Sequence, residues 1–414
     1  MQAHTSEREF DLVLFGATGF TGRLVGEYIA RQKPKRWAIA GRNREKLAAL
    51  GFDAPILVAD AMDPAACADV AARARVVCTT VGPYSKYGSA LVAACAEAGT
   101  HYCDLTGEVH WMREMIDAHH DRARQTGARI VHTCGFDSIP SDLGAWATQQ
   151  EFIHRFGRPA QKVTAFFGEQ SGGMSGGTAA SGFAIAEAMS DPFVRRVLRN
   201  PYALDPDPAA PHPKVDGPAV GWDPYLKMFF VPFFMAATNS PVVRRGHALA
   251  GYPWGPDFVY REVMSTPGNA RGAIMATAIT VGLAALAAAM KRPRVRGMLQ
   301  QRAPKPGEGP SQDKRERGHW KVRFVAEDGD DKLLYIVGDP AGDPGYASTA
   351  KMLGESALCL AYDELDSPGG CLTPSIAMDG ALLERLRNAG LIFEPAQPYS
   401  AASAATSTSE SARL

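Results

Sequence analysis

The sequence predicts an α/β protein, with a doubly wound parallel sheet (a Rossmann domain) followed by a second α/β (α+β) domain for substrate binding or dimerisation. Three observations carry this. Up to about residue 137, short, wholly apolar runs alternate with helical segments, the pattern of a parallel sheet covered on both faces. The first run leads directly into a glycine-rich turn and a helix. Beyond Trp146 the alternation gives way to Pro/Gly-rich stretches, a 19-residue uncharged run and a hairpin pattern.

The expected strands are Phe10–Phe15, Trp37–Ala40, Ile56–Ala59, Val76–Val81, His101–Leu105 and Arg129–Thr133, and six is the usual complement of such a domain. The helices between them are Arg23–Arg31, Arg44–Leu50, Pro64–Ala72, Ser89–Ala98 and Glu108–Gln125. Asp63 followed by Pro64 marks the start of the third. Farther on, Val163–Gly168 reads as a strand, Ser171–Gly177 as a glycine-rich connector, and a helix runs to about Met189. Residues 200–224 hold seven prolines and suit a long loop or lid. Phe229–Phe234 is strongly apolar, 302–319 is exposed, and Lys321–Ala326 with Leu333–Val337 reads as a hairpin around Glu327–Asp331. Helices follow near 346–362 and 374–389, the second opened by Thr373-Pro374 and closed by Gly390. The predicted division is 8–140, 141–345 and 346–395, with a disordered Ala/Ser/Thr tail at 396–414.

Composition narrows the function. Forty-four Lys and Arg balance 44 Asp and Glu, so charge gives no support for a nucleic-acid partner. Seven cysteines form no C-x-x-C pair, which disfavours a metal site, a dithiol redox site and a secreted disulfide scaffold. Residues 1–9 are polar and the first apolar run is six residues long, so no signal peptide is expected and the compartment is taken as cytoplasmic.

Gly16-Ala17-Thr18-Gly19-Phe20-Thr21-Gly22 lies between the first strand and the first helix, the context a dinucleotide fingerprint requires. Gly16 permits the turn, Gly19 lets a pyrophosphate approach the backbone, and Gly22 lets helix and strand pack closely, while the helix N-terminus offers N–H groups to the anion. Twenty residues past Gly22, where NAD-binding folds place a carboxylate, stands Arg42, with Arg44 and Lys46 nearby. A cation there suits a 2′-phosphate, so NADPH is the expected cofactor. Asp60, at the end of the third strand, either faces the adenine or caps the following helix. Val81 and Gly82 close the fourth strand and should border the nicotinamide.

For acid–base work the candidates are Tyr84, beside that loop, and Asp104 and Glu108 at the end of the fifth strand. Each has a structural alternative: rim packing for Tyr84, backbone bonding for Asp104, and a helix N-terminus for Glu108. Ser138 and Asp142 read as caps of the helix after the sixth strand, and His132 as a satisfied core residue. None of the twelve tyrosines has Lys four positions later, which excludes the short-chain dehydrogenase mechanism.

The glycine-rich turn, Tyr102-Cys103-Asp104-Leu105-Thr106-Gly107-Glu108, the segment from Cys134 to Gly144, and Gly370-Cys371-Leu372-Thr373-Pro374 together resemble the saccharopine dehydrogenase-like oxidoreductases. Chain length and Arg244-Arg245-Gly246-His247 resemble the trans-acting enoyl reductase branch in particular. The resemblance covers nearly the whole chain to about residue 395. It implies an NADPH-binding domain, an inserted substrate domain, and C-terminal helices that return to the first domain. The implied reaction is reduction of a carbon–carbon double bond in an acyl or polyketide intermediate, free or carrier-bound, on a route to complex lipids or glycolipids. No proton donor is carried over from the branch.

Two alternatives stay open at this point: imine reduction in amino-acid metabolism, as in saccharopine reductases, and NADPH binding without catalysis. Residues 272–290 carry no charge and are flanked by Arg271 and by Lys291 and Arg292; eight of the nineteen are alanine. Buried core, a homodimer interface, peripheral contact with the inner face of the plasma membrane, and a spanning helix all fit that composition.

Overall fold

The computed structural model describes residues 8–171, 176–209, 212–215, 220–302 and 311–396. The expected tail, most of the glycine-rich connector and parts of the 200–224 and 302–319 stretches lie outside the described residues.

The first unit alternates as its apolar periodicity requires. Its elements are β1 (Phe10–Phe15), α1 (Phe20–Arg31), β2 (Trp37–Gly41), α2 (Arg44–Ala48), β3 (Ile56–Val58), α3 (Pro64–Arg73) and β4 (Ala74–Thr79). These continue through one-turn α4 (Tyr84–Tyr87), α5 (Ser89–Ala98), β5 (His101–Cys103), α6 (Val109–Thr126) and β6 (Arg129–Val131). Asp63 caps α3 by accepting the Ala65 N–H at 2.9 Å, with Pro64 in the first turn.

Then α7 (Ile139–Phe156) leads to β7 (Lys162–Gln170), α8 (Gly176–Ala188), α9 (Pro192–Arg199), β8 (Gly221–Asp223), β9 (Met228–Pro232), α10 (Ala236–Leu249) and β10 (Val259–Thr266). Helices α11 (Ala270–Met290), α12 (Pro293–Arg302) and α13 (Gln312–Glu316) precede the hairpin β11 (Trp320–Asp328) and β12 (Asp331–Asp339). The chain closes with α14 (Thr349–Tyr362), β13 (Gly370–Leu372), α15 (Pro374–Asn388) and β14 (Ile392–Pro395).

Two seven-stranded sheets result. The first, in the order β13-β6-β5-β4-β1-β2-β3, is parallel throughout, and its strands from β6 to β3 follow the dinucleotide-binding order. The seventh strand comes from far along the chain. The second sheet, β14-β12-β11-β7-β10-β9-β8, is antiparallel except for the pair β7 and β10. One apolar core joins the sheets through α7, α14 and α15, running from Leu12 and Val76 to Phe324 and Val337. Gly144 makes this possible, since a Cβ there would lie 2.6 Å from the Phe324 ring. The C-terminal segment serves both sheets: β13 joins the first and β14 the second.

Strands β5 and β6 end two residues before their predicted limits. Asp104 accepts the N–H groups of Thr106 and Thr133, both at 3.0 Å, so its side chain replaces ladder partners and turns both loops outward. Asp142 also departs from expectation. It accepts the Ser375 N–H at 2.7 Å and so caps α15 rather than its own helix. The Ser138 hydroxyl makes no cap for α7 and instead donates to Asn239 at 3.3 Å. Finally, α11 is not core: only Gly272 and Ala276 are buried.

Candidate functional site

The site is built at the carboxyl ends of β1, β2, β4, β5 and β6. Gly16 has φ +92°, and a Cβ there would lie 2.5 Å from Val81 Cγ2. Gly22 is tighter still, since its Cβ would meet the Gly16 carbonyl at 2.2 Å. Thr80 donates its hydroxyl to that carbonyl at 3.2 Å, which ties the β1 turn to the end of β4. At Gly19, which opens α1, no side chain among the described residues caps the helix, and a Cβ would find among them only the Gly16 carbonyl, 3.5 Å away. The α1 N-terminus is thus left open to an anion. Ala17 is buried, Thr18 and Gly19 are exposed, and Phe20 and Thr21 are half-buried, so the turn presents backbone rather than bulk to the cleft. This geometry fits a dinucleotide pyrophosphate.

Arg42 follows the last residue of β2 and is exposed; Asn43 caps α2 by accepting the Lys46 N–H at 2.8 Å. Asp60 is half-buried and accepts the Met62 N–H at 2.9 Å in a local turn. Just past the end of β4, Val81 is half-buried and Gly82 is exposed. One neighbour had no signal in the sequence: the Arg315 guanidinium lies 5.3 Å from the centroid of the Phe20 ring, whose edge meets Tyr346 at 4.8 Å. Helix α13 therefore brings a cation over the glycine-rich turn.

The three acid–base candidates are brought together, but with a different employment. Tyr84 is buried; its hydroxyl donates to the Thr79 carbonyl at 3.1 Å and accepts the Leu105 N–H at 3.4 Å. Burial and the neighbouring Asp104 push its phenol well above the ordinary range. Glu108 accepts the N–H groups of Tyr84 at 2.7 Å and Ser85 at 3.0 Å. Besides its two backbone donors, Asp104 takes the Tyr102 hydroxyl at 2.9 Å and His132 Nδ1 at 2.7 Å. These bonds tie the loops after β4, β5 and β6 together and engage all three candidates with neighbouring main-chain and side-chain groups.

Asp137, in the loop between β6 and α7, was not singled out by the sequence. Its carboxyl faces the β5 loop, 3.5 Å from where a Cβ on Gly107 would lie. Among the described residues no hydrogen bond or ion pair reaches it. Burial alone raises it to about 6, close to neutrality. The only signal was its place in a glycine-containing loop after a parallel strand.

Next to Asp137 begins a wall of rings. Phe136 lies 4.9 Å from Trp320 and 6.4 Å from Phe167; Phe167 stacks on Phe233 at 4.2 Å, and Phe233 meets Phe234 at 5.3 Å. Phe234 is 53% exposed, so the wall runs from the cleft to the surface.

The Arg244–His247 segment is structural. Arg244 donates to the carbonyls of Pro201 and Tyr260, each at 3.0 Å, and Arg245 to those of Leu204 and Cys371, each at 2.6 Å. His247 stacks on Trp254 at 4.9 Å, and burial lowers it to about 4.

Residues 12–131 match the family described as the saccharopine dehydrogenase NADP binding domain, so the site takes NADP(H). A trans-acting enoyl reductase from Mycobacterium ulcerans is 40% identical over 421 residues, covering 94% of this chain and 98% of its own. A Mycobacterium tuberculosis relative, provisionally given the same name, is 42% identical over 416 residues, with 94% and 97% covered. The apo histidine-tagged saccharopine dehydrogenase (L-Glu forming) from Saccharomyces cerevisiae is similar in fold, with a TM-score of 0.50 at 15% identity, covering 93% of this chain and 99% of that one.

Proposed function

Since this chain belongs to the trans-acting enoyl reductases, a branch of the saccharopine dehydrogenase-like NADP-dependent oxidoreductases, we propose that it reduces the carbon–carbon double bond of an apolar acyl or polyketide intermediate of lipid biosynthesis, with NADPH as reductant. NADPH, when bound, supplies the hydride for the β-carbon. The α1 N-terminus and the glycine-rich turn hold its pyrophosphate, and Arg42 its 2′-phosphate. The Asp104 and Glu108 networks keep the surrounding loops rigid, so little reorganisation is needed when charge develops on the substrate. Asp137 holds the proton destined for the α-carbon: a carboxyl that titrates near neutrality is both protonated often enough and acidic enough for that transfer.

The aromatic wall from Phe136 to Phe234 is the observation that carries the substrate class. Its exposed end, Phe234, offers apolar surface to an acyl chain, and Phe233 and Phe167 continue the ring series inward, buried in the core, toward Phe136 beside Asp137. Imine reduction of a multiply charged amino acid would need cations beside the cleft, and the buried arginines of the substrate domain, Arg244 and Arg245, are already engaged by main-chain carbonyls.

The test follows loss of NADPH absorbance with enoyl thioesters of increasing chain length and with amino-acid imines. Turnover of the thioesters, with kcat/KM rising as the chain lengthens, is the expected result. Turnover of imines alone would move the enzyme to amino-acid chemistry, and stoichiometric NADPH binding without turnover of either would mark a non-catalytic protein.

A further inference from the structure

Helix α11 is rooted firmly and then left uncovered. At its base the Asn269 side chain accepts the Gly272 N–H at 3.0 Å and Thr266 donates to the Gly272 carbonyl at 2.9 Å. Gly272 is tight against the preceding loop, since a Cβ there would lie 1.7 Å from the Pro267 carbonyl. Beyond Ala276 no residue of the helix is buried, and Ile274, Met275, Val281 and Leu286 are 71%, 43%, 63% and 48% exposed. At about 100° per residue these four fall within roughly 140° of the axis, one broad apolar face. A helix lying at a membrane interface buries one such apolar face in the lipid.

Charge narrows the occupant. From Ala270 to Gly307 the chain holds Arg271, Lys291, Arg292, Arg294, Arg296, Arg302 and Lys305, and no carboxylate. In a two-fold pairing of copies through α11, these cations would meet one another. An anionic lipid surface complements them. Trp222, 44% exposed, lies by the root of the helix, with its ring 3.1 Å from where a Cβ on Gly268 would be, and indoles favour the interface of a bilayer.

The path of the chain sets the depth. After α11, Arg296 of α12 donates to the Ala186 carbonyl of α8 at 3.2 Å, six residues before α9 begins. The Val194 and Val197 side chains of α9 are buried, Val197 in the core of the first sheet. The root of α11 is held by Thr266 and Asn269, and its far end is tethered through α12 and α8 to α9, which suits a helix lying in the plane of the membrane and not one crossing it.

We propose that α11, with Trp222 at its root and the basic run behind it, docks this enzyme in-plane on an anionic lipid bilayer. The proposal does not depend on the reaction catalysed. It is tested by flotation of the purified full chain with phosphatidylcholine–phosphatidylglycerol vesicles and with phosphatidylcholine alone.

The parent is expected to float with the anionic vesicles and to bind the neutral ones at least ~10-fold more weakly. Val281→Asp with Leu286→Asp should cut vesicle binding by at least ~10-fold, with melting temperature and calorimetric NADPH binding unchanged. Lys291→Glu with Arg292→Glu should remove the preference for anionic lipid. Failure of the parent to float with either vesicle overturns the proposal. So does a dimer in solution that the double Asp variant splits without any vesicle binding, or resistance of the vesicle-bound protein to alkaline extraction, which would mark a spanning helix.

Discussion

Glu108 Oε1 accepts the main-chain N–H of Tyr84 at 2.7 Å, and the same carboxylate accepts Ser85 at 3.0 Å. One side chain at the start of α6 thus holds the first turn of α4, and with it the loop that closes β4.

This relationship separates positioning from chemistry. Glu108→Gln keeps one acceptor oxygen and should lower stability by about 1–2 kcal/mol while preserving most of kcat. Glu108→Ala leaves two main-chain donors unpaired and should lose about 2–4 kcal/mol. Thermal melts and steady-state rates of both variants check this. A native melting temperature with no turnover in the Gln variant would put Glu108 in the reaction itself.

Asp137 makes a pH-dependent prediction. Its carboxyl ordinarily titrates near 3.8, and burial raises it to about 6 in the folded chain. A raised carboxyl resists ionisation in the fold, so stability falls as pH rises through this window and the full cost persists above it. Asp137→Asn should therefore stabilise the protein above pH 6 by on the order of 1 kcal/mol, after allowance for solvent that reaches the residue, and hardly at all below pH 4. The same variant should slow enoyl reduction by roughly 100-fold and remove the alkaline limb of the pH–rate profile near 6. Unchanged turnover would exclude it as the proton source.

Arg42→Ala should weaken NADPH by about 10- to 100-fold, the worth of a charge-assisted bond to phosphate, and NADH hardly at all. Isothermal titration with both cofactors measures the difference. Equal losses would mean that Arg42 does not meet the 2′-phosphate.

Gly22→Ala places a methyl 2.2 Å from the Gly16 carbonyl, so α1 must shift away from the turn. A stability loss of about 1–3 kcal/mol is expected, together with loss of affinity for NADPH and NADH alike. Melting curves with and without cofactor report both; a variant with parental melting and affinity would show that the turn relaxes freely.

Legibility in the sequence followed locality. β1 was legible to the residue because all six of its side chains are buried and the turn behind it needs glycine. The cofactor turn and the end of β2 were legible for the same reason: their chemistry is written within a few neighbouring positions. Helix α10 was obscured by Pro241 and two adjacent arginines, yet tertiary packing holds it, with both guanidinium groups turned onto carbonyls. Strands β13 and β14 are three and four residues long, and pairing partners rather than local pattern define them. The roles of Tyr84, Asp104 and Glu108 depended on bonds between loops that the sequence separates. Arg315 reaches Phe20 only because the chain crosses back from the second sheet.

Residues 370–395 place one edge strand on each sheet, β13 beside β6 and β14 beside β12. They are synthesised after every other strand of both sheets, so both sheets gain an edge strand late. Pairing with β13 and β14 thus couples completion of both halves to one late-synthesised segment.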